Sequence, residues 1–197
     1  MDLHINSTNH RTIKESFFKI AKQILNQYIL VVNKKEYRVV TIEFYYYNED
    51  VHKDTHSHAY KRKRAKEMHV HSSKWYLHYL NTQDSTRFKR KGIDYTFGDG
   101  TNYGGILIKE VRELYGDKLL HTQSIFIDEL VKELNPAEVD KCNSIIFQKM
   151  IEEDNRLNFE ARQDLEEKNI LTWTRKGLSK KENEFSKKAY AFKLEDF

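Results

Sequence analysis

One cysteine, one proline and seven glycines are all that this chain holds of the residues that crosslink, stiffen or free a backbone. A single thiol, Cys142, excludes an intramolecular disulfide framework and fits a reducing compartment. So little proline and glycine excludes collagen-like and low-complexity chains. No stretch approaches the roughly eighteen consecutive apolar residues of a membrane-spanning helix. The opening MDLHINSTNHRTIKESFF lacks a basic region followed by an apolar run, so it reads as no signal peptide. The expectation is a cytoplasmic protein with no membrane partner.

What the chain does hold is aromatic and charged. Its 12 tyrosines and 11 phenylalanines argue against disorder, which is poor in such residues. With 197 residues, 39% of them hydrophobic, it can bury the core of one domain spanning 1–197 but not two comfortable ones. A net charge of +4 permits a polyanionic partner without requiring one.

Along the chain, Thr12 with Glu15 three residues on has the form of a capping box, and apolar residues then recur at helical spacing. The pattern predicts a helix over 12–29, packed through Phe17, Ile20, Ile24 and Tyr28. YRVVTIEFYYY (37–47) predicts a strand. Residues 48–73 are polar and irregular and read as a long surface loop. KWYLHYL (74–80), GIDYTF (92–97) and ILIKEV (106–111) predict three further strands of an antiparallel meander, with the turn GDGTNYGG between the last two. Residues 123–151 look helical, broken at Asn135–Pro136, and 158–168 suggest another helix. ILTWTRK (170–176) and AYAFKL (189–194) predict closing strands. The whole reads as one α+β domain with a curved, mainly antiparallel sheet and flanking helices.

The chemistry concentrates around TIEFYYYNEDVHKDTHSHA (41–59). Side chains alternate along a strand, so Val40, Ile42, Phe44 and Tyr46 are expected on the core face. Glu43, Tyr45 and Tyr47 are expected on the other. A carboxylate beside an aromatic on a rigid strand suits a general base; equally, Glu43 could occupy the solvated face of an amphipathic strand. Six of nine histidines, at 52, 56, 58, 69, 71 and 78, follow closely. They could be metal ligands, yet their spacing matches no closed zinc pattern. Tyr76 and His78 could flank a planar ligand from the side opposite Tyr45, or form a plain cross-strand aromatic pair. The basic runs YKRKRAK (60–66) and RFKRK (87–91), interleaved with aromatics, suit a nucleic acid whose bases leave the stack.

In order, these segments resemble the alkyladenine (3-methylpurine) DNA glycosylases. IEFYYY…THS supplies the strand glutamate, its tyrosine and the later His-Ser as Glu43, Tyr45, His56 and Ser57. WYLHYL resembles the family's strand of alternating tyrosines, offering Tyr76 and His78. GDGTNYGGILIKEV resembles its Gly-Asp-Gly turn and apolar strand, with Lys109 where the family usually carries arginine. TRKGL…KKAYAFKL resembles its closing segment. An extra stretch precedes KGIDYTFG, and Lys91 and Gly98 fall nearest the places of the family's wedge tyrosine and following asparagine. The resemblance implies a methylpurine-DNA-glycosylase-like fold and a monomeric, monofunctional enzyme without cofactor or metal. Glu43 would activate a water against the sugar C1′ of a flipped nucleotide. Tyr45, His56, Tyr76 and His78 would hold the base. Arg62, Arg64, Arg90, Lys91 and Lys109 would contact double-stranded DNA containing a modified base. Two other readings stay open. One is a metal-dependent nuclease or hydrolase using Glu43, the loop histidines and Asp94 or Asp99. The other is a nucleic-acid-binding module without catalysis.

Overall fold

In the computed structural model, which describes residues 1–61, 63–80, 90–134, 150–151, 156–178 and 184–197, the first helix is started by Asn9. Its side chain accepts the N–H groups of Arg11 at 2.9 Å and Thr12 at 3.1 Å, and the Thr12 hydroxyl accepts the Asn9 N–H at 3.1 Å. The capping box therefore runs from Asn9 to Thr12, not from Thr12 to Glu15. Extended backbone at Asn9 aims its carboxamide at the free N–H groups, whereas Glu15 pairs with Arg11 on the surface. Helix α1 (His10–Gln27) buries Ile13, Phe17, Ile20, Ala21, Ile24 and Leu25. Tyr28 is not helical. It turns extended (φ −129°, ψ 147°) and opens β1 (Tyr28–Val32), a β-branched and aromatic run. Asn33 and Lys34, both at positive φ (46° and 74°), close a two-residue hairpin into β2 (Lys35–Asn48).

Strand β2 is the spine of one curled sheet. The long β6 (Tyr103–Glu113) pairs along one of its edges. Its other edge is shared in succession by β1, by β11 (Ala191–Leu194) and by β3 (His52–Lys53). Beyond β6 the predicted meander is present: β5 (Arg90–Phe97), then β4 (Ser72–Leu80), with β8 (Met150–Ile151) outside it. β10 (Ile170–Trp173) flanks β11, β9 (Leu157–Ala161) flanks β1, and the short β7 (Leu119–Leu120) pairs with β6. Among the described residues all pairings are antiparallel and the helices are few, so the fold is α+β, as expected.

Two further local readings are corrected. Residues 48–73 are not a surface loop: they contain β3, α2 (His58–Lys61) and α3 (Lys63–His69), with Ala59, Ala65 and His69 buried. Residues 158–168 are not helical, because 157–161 complete a backbone ladder with β1. Within 123–151, α4 (Gln123–Leu134) forms as expected, while the break at Asn135–Pro136 and residues 135–149 lie outside the described residues.

The core lies between α1, α4 and one face of the sheet. Phe17 stacks on Phe44 at 4.5 Å and meets Tyr190 edge-on at 5.0 Å, while α4 adds Phe126, Ile127 and Leu130. Each such side chain contributes about 1.5–3 kcal/mol through burial. Val39 joins this core with Ile42, Phe44 and Tyr46; Val40 does not. The expected alternation is shifted because the ladder passes from Val39↔Val111 to Thr41↔Glu110 and then to Ile42↔Ile108. Val40 and Lys109 are thus the extra residues of two compensating bulges. Among the described residues no helix is long and apolar enough to cross a membrane.

Candidate functional site

The face of the sheet turned away from α1 carries the polar chemistry. Its register sets Glu43 opposite Leu107, Leu107 opposite Asp94, and Asp94 opposite Tyr76, one row across β2, β6, β5 and β4. The next row holds Tyr45, Gly105 and Thr96. Residues directly opposite share a face, so Glu43, Tyr45, Asp94 and Tyr76 lie on one surface. The bulges shape it further. Regular alternation would send one of Lys109 and Glu110 into the core. Instead Lys109 reaches Glu43 and Glu110 accepts from the Thr41 hydroxyl at 2.5 Å.

Glu43 is 2% exposed, so it does not sit on a solvated face. Its Oε2 accepts the Tyr45 hydroxyl at 2.8 Å, and its Oε1 accepts the Lys176 backbone N–H at 3.1 Å. The Lys109 ammonium stands 3.6 Å from Oε1 and is the partly exposed member of the group. Burial, then the neighbouring Glu43 charge, pushes the Tyr45 phenol well above its ordinary range, so it stays a donor. The arrangement is a buried carboxylate with one neutral and one charged side-chain partner, on a strand that cannot shift without breaking two ladders.

Around Tyr45 the aromatic partner is His58, one of the loop histidines but not the one the motif singled out. The two rings lie within 15° of parallel, with centroids 6.5 Å apart. His56 is buried in the same segment, and its backbone N–H donates to Asp54 Oδ1 at 2.9 Å. Asp54 in turn pairs with Arg175, whose guanidinium carbon lies 4.6 Å from the Tyr45 ring centre. The motif THS points to His56, whereas the turn into α2 brings His58 to the Tyr45 ring. Arg175 carries no local signal, since 121 positions separate it from Asp54.

Tyr76 is on the expected face but roofed by α3: it packs on Ala65 and Met68 and meets His69 edge-on at 5.3 Å. His69 Nε2 is 3.0 Å from Asp94 Oδ2, both groups buried, and the pair fits only because Gly105 has no side chain. A Cβ there would come within 2.8 Å of His69 Nε2 and 3.1 Å of Asp94 Oδ2. His78 sits on β4 opposite Gly92, Arg64 on α3, and Arg90 at the first position of β5. Arg62 lies outside the described residues, as does most of the 87–91 run. Lys91 is tied to Asp128 of α4. The remaining histidines are dispersed. His52 lies in the aromatic core, bonded to the Tyr46 carbonyl and the Tyr190 hydroxyl, and His71 is exposed. Asp99 accepts the N–H groups of Thr101 and Asn102 within its own turn. Among the described residues no three His, Cys, Asp or Glu side chains converge as a metal site.

No family model matches the sequence. A protein of Acanthamoeba polyphaga mimivirus, named only as uncharacterized, is 23% identical over 202 residues, covering 95% of this chain and 90% of its own length. The likeness therefore extends over nearly the whole of both chains and carries no activity with it.

Proposed function

We propose that this protein is a monofunctional N-glycosidic hydrolase that removes a modified base extruded from double-stranded DNA. The observation that carries the reading is the buried Glu43 bonded to Tyr45, with the His58 ring held parallel to Tyr45. A flat ring in van der Waals contact with two others needs roughly 3.5 Å to each, about 7 Å in all. The Tyr45 and His58 centroids are 6.5 Å apart, about half an ångström short of that spacing, so a base between them requires the two rings to part slightly. The resemblance to the alkyladenine glycosylases, with Lys109 in the place of their arginine, supports the same reading.

In this reaction Glu43 takes a proton from water as the water oxygen bonds to C1′. The C1′–N bond breaks with its electron pair leaving on the base, which is protonated from solvent. The carboxylate also faces the positive charge that develops on the sugar. Lys109 keeps the carboxylate turned toward that centre. A metal-dependent hydrolase is less well supported, because both ring nitrogens of His52 are taken by Tyr46 and Tyr190, His69 Nε2 is held by Asp94, and among the described residues no three His, Cys, Asp or Glu side chains converge.

The test is release of free base from a modified duplex with a chelator present throughout. Wild-type protein is expected to release base, and Glu43→Gln to bind the duplex normally but to be slower by roughly two orders of magnitude or more. Loss of wild-type activity on chelation would favour the metal alternative. Binding without release by the wild type would leave a non-catalytic module. Tyr45→Ala is expected to weaken binding to the modified duplex by about 1–3 kcal/mol and binding to an unmodified one by less.

A further inference from the structure

The side chains of Arg175 and Asp54 are both fully buried. One guanidinium nitrogen of Arg175 donates to Asp54 Oδ2 at 2.5 Å and to the Phe44 carbonyl at 3.1 Å. The other donates to Asp54 Oδ1 at 3.2 Å and to the Phe185 carbonyl at 3.1 Å. Along the outer edge of β2 the β11 ladder ends at Glu43 and the β3 ladder starts at Tyr47. Arg175 fills the interval and supplies the donor for the Phe44 carbonyl. A buried ion pair seldom stabilises a fold more than apolar side chains of equal size would, so its place beside Glu43 asks for another role.

Three connections leave this pair toward the site. The guanidinium lies over Tyr45, at 4.6 Å from the ring centre, and is shared with Tyr190 at 5.5 Å. The residue after Arg175 is Lys176, whose backbone N–H bonds Glu43 Oε1 at 3.1 Å. Asp54 accepts the His56 N–H at 2.9 Å and so bends the chain that delivers His58 to the Tyr45 ring. A planar, fork-shaped cation can serve two carbonyls, a carboxylate and an aromatic face at once; an ammonium cannot.

We infer that Arg175 and Asp54 form a positioning pair, which sets the Tyr45 ring, the segment carrying His58 and one donor to Glu43 in a single arrangement. Its chemical consequence rests on the glycosidic-hydrolase reading: the bound base and the water-activating carboxylate are aligned by one buried contact. Its geometric consequence does not, and the experiment reads the two separately.

The variants are Arg175→Lys, Asp54→Asn and the doubly neutral Asp54→Asn/Arg175→Gln, each checked for folding by thermal unfolding. The double variant leaves no unpaired buried charge should a single one fail to fold. With tyrosines labelled at Cζ and the Tyr45 signal assigned by Tyr45→Phe, that signal is expected to move in the folded variants toward its position in Glu43→Gln. An unmoved signal overturns the inference whatever the enzyme does. In single-turnover base release the folded variants are expected to be at least tenfold slower, with duplex affinity within about twofold of wild type and full rescue by none but arginine at 175. A rate within twofold of wild type in folded Arg175→Lys overturns the inference. A wild-type protein that releases no base, with the Tyr45 signal still moving, overturns the glycosidic reading and leaves the positioning pair standing.

Discussion

His52 is an imidazole held neutral by its surroundings. Its Nδ1 lies 3.0 Å from the Tyr46 carbonyl, which can only accept, so Nδ1 carries the hydrogen; Nε2 accepts from the Tyr190 hydroxyl at 2.9 Å. Burial, among Phe17, Phe185 and Tyr190, drives its pKa down to about 4 from 6.5, and the nearby Asp54 charge offsets only part of this. The folded-state pKa is the depressed one, so the unfolded chain binds the extra proton first. Stability is full above about pH 6.5 and is lost as the pH falls toward 4. The loss is on the order of 3 kcal/mol, each pKa unit being worth about 1.4. Thermal unfolding between pH 4 and 7 is expected to show this slope, and His52→Gln to flatten it while lowering stability at pH 7. An equal slope in both proteins would place the titrating group elsewhere.

Between elements, the tightest junction is where the turn after β5 passes the end of α3. The Gly98 N–H donates to the His71 carbonyl at 3.0 Å, and the Gly100 N–H to the Val70 carbonyl at 3.0 Å. A Cβ on Gly98 would stand 2.1 Å from the His69 carbonyl oxygen and 2.4 Å from the Val70 carbonyl carbon, both backbone. Backbone cannot swing aside as a side chain can. Gly98→Ala is therefore expected to cost about 1–3 kcal/mol or more, comparable to an overpacked core. Since α3 carries His69, it should also disturb the His69–Asp94 pair. Gly116→Ala is the control: its Cβ would meet only the flexible end of Glu113, at 2.8 Å, and the expected change is within about 0.5 kcal/mol. Chemical denaturation of both variants checks the contrast; similar losses would show that the junction is not tight. The same scale explains why strand patterning failed at Val40. A bulge changes which residues face the core without changing which residues favour a strand.

For the molecule as a whole, the net charge of +4 makes electrostatic attraction to phosphates the main source of duplex affinity under the proposed function. The logarithm of the binding constant should then fall linearly with the logarithm of salt concentration, by roughly 0.9 for each phosphate contacted. Lys91 is spent on Asp128, so Lys91→Gln is expected to leave that slope unchanged; affinity insensitive to salt would reject the nucleic-acid partner. Much of this architecture is legible in the residue order. Periodicity of 3.6 shows α1 through Phe17, Ile20 and Ile24, and β-branched and aromatic runs show β2, β4, β5 and β6, because burying one face is a local constraint repeated along an element. Glu43 and Tyr45 are legible for the same reason, being two positions apart on one strand. The ends of the expected helices 12–29 and 158–168 depart from their local pattern because Tyr28 and 158–161 join ladders, β1 between β2 and β9, and 58–69 departs because short helices draw their stability from what they cover. The tertiary structure alone decided that Glu43 is buried, that His58 and not His56 faces Tyr45, and that Arg175 meets Asp54. Those contacts join segments far apart in the chain, and no local pattern records them, since the physical constraint on each residue is a neighbour that folding has yet to bring.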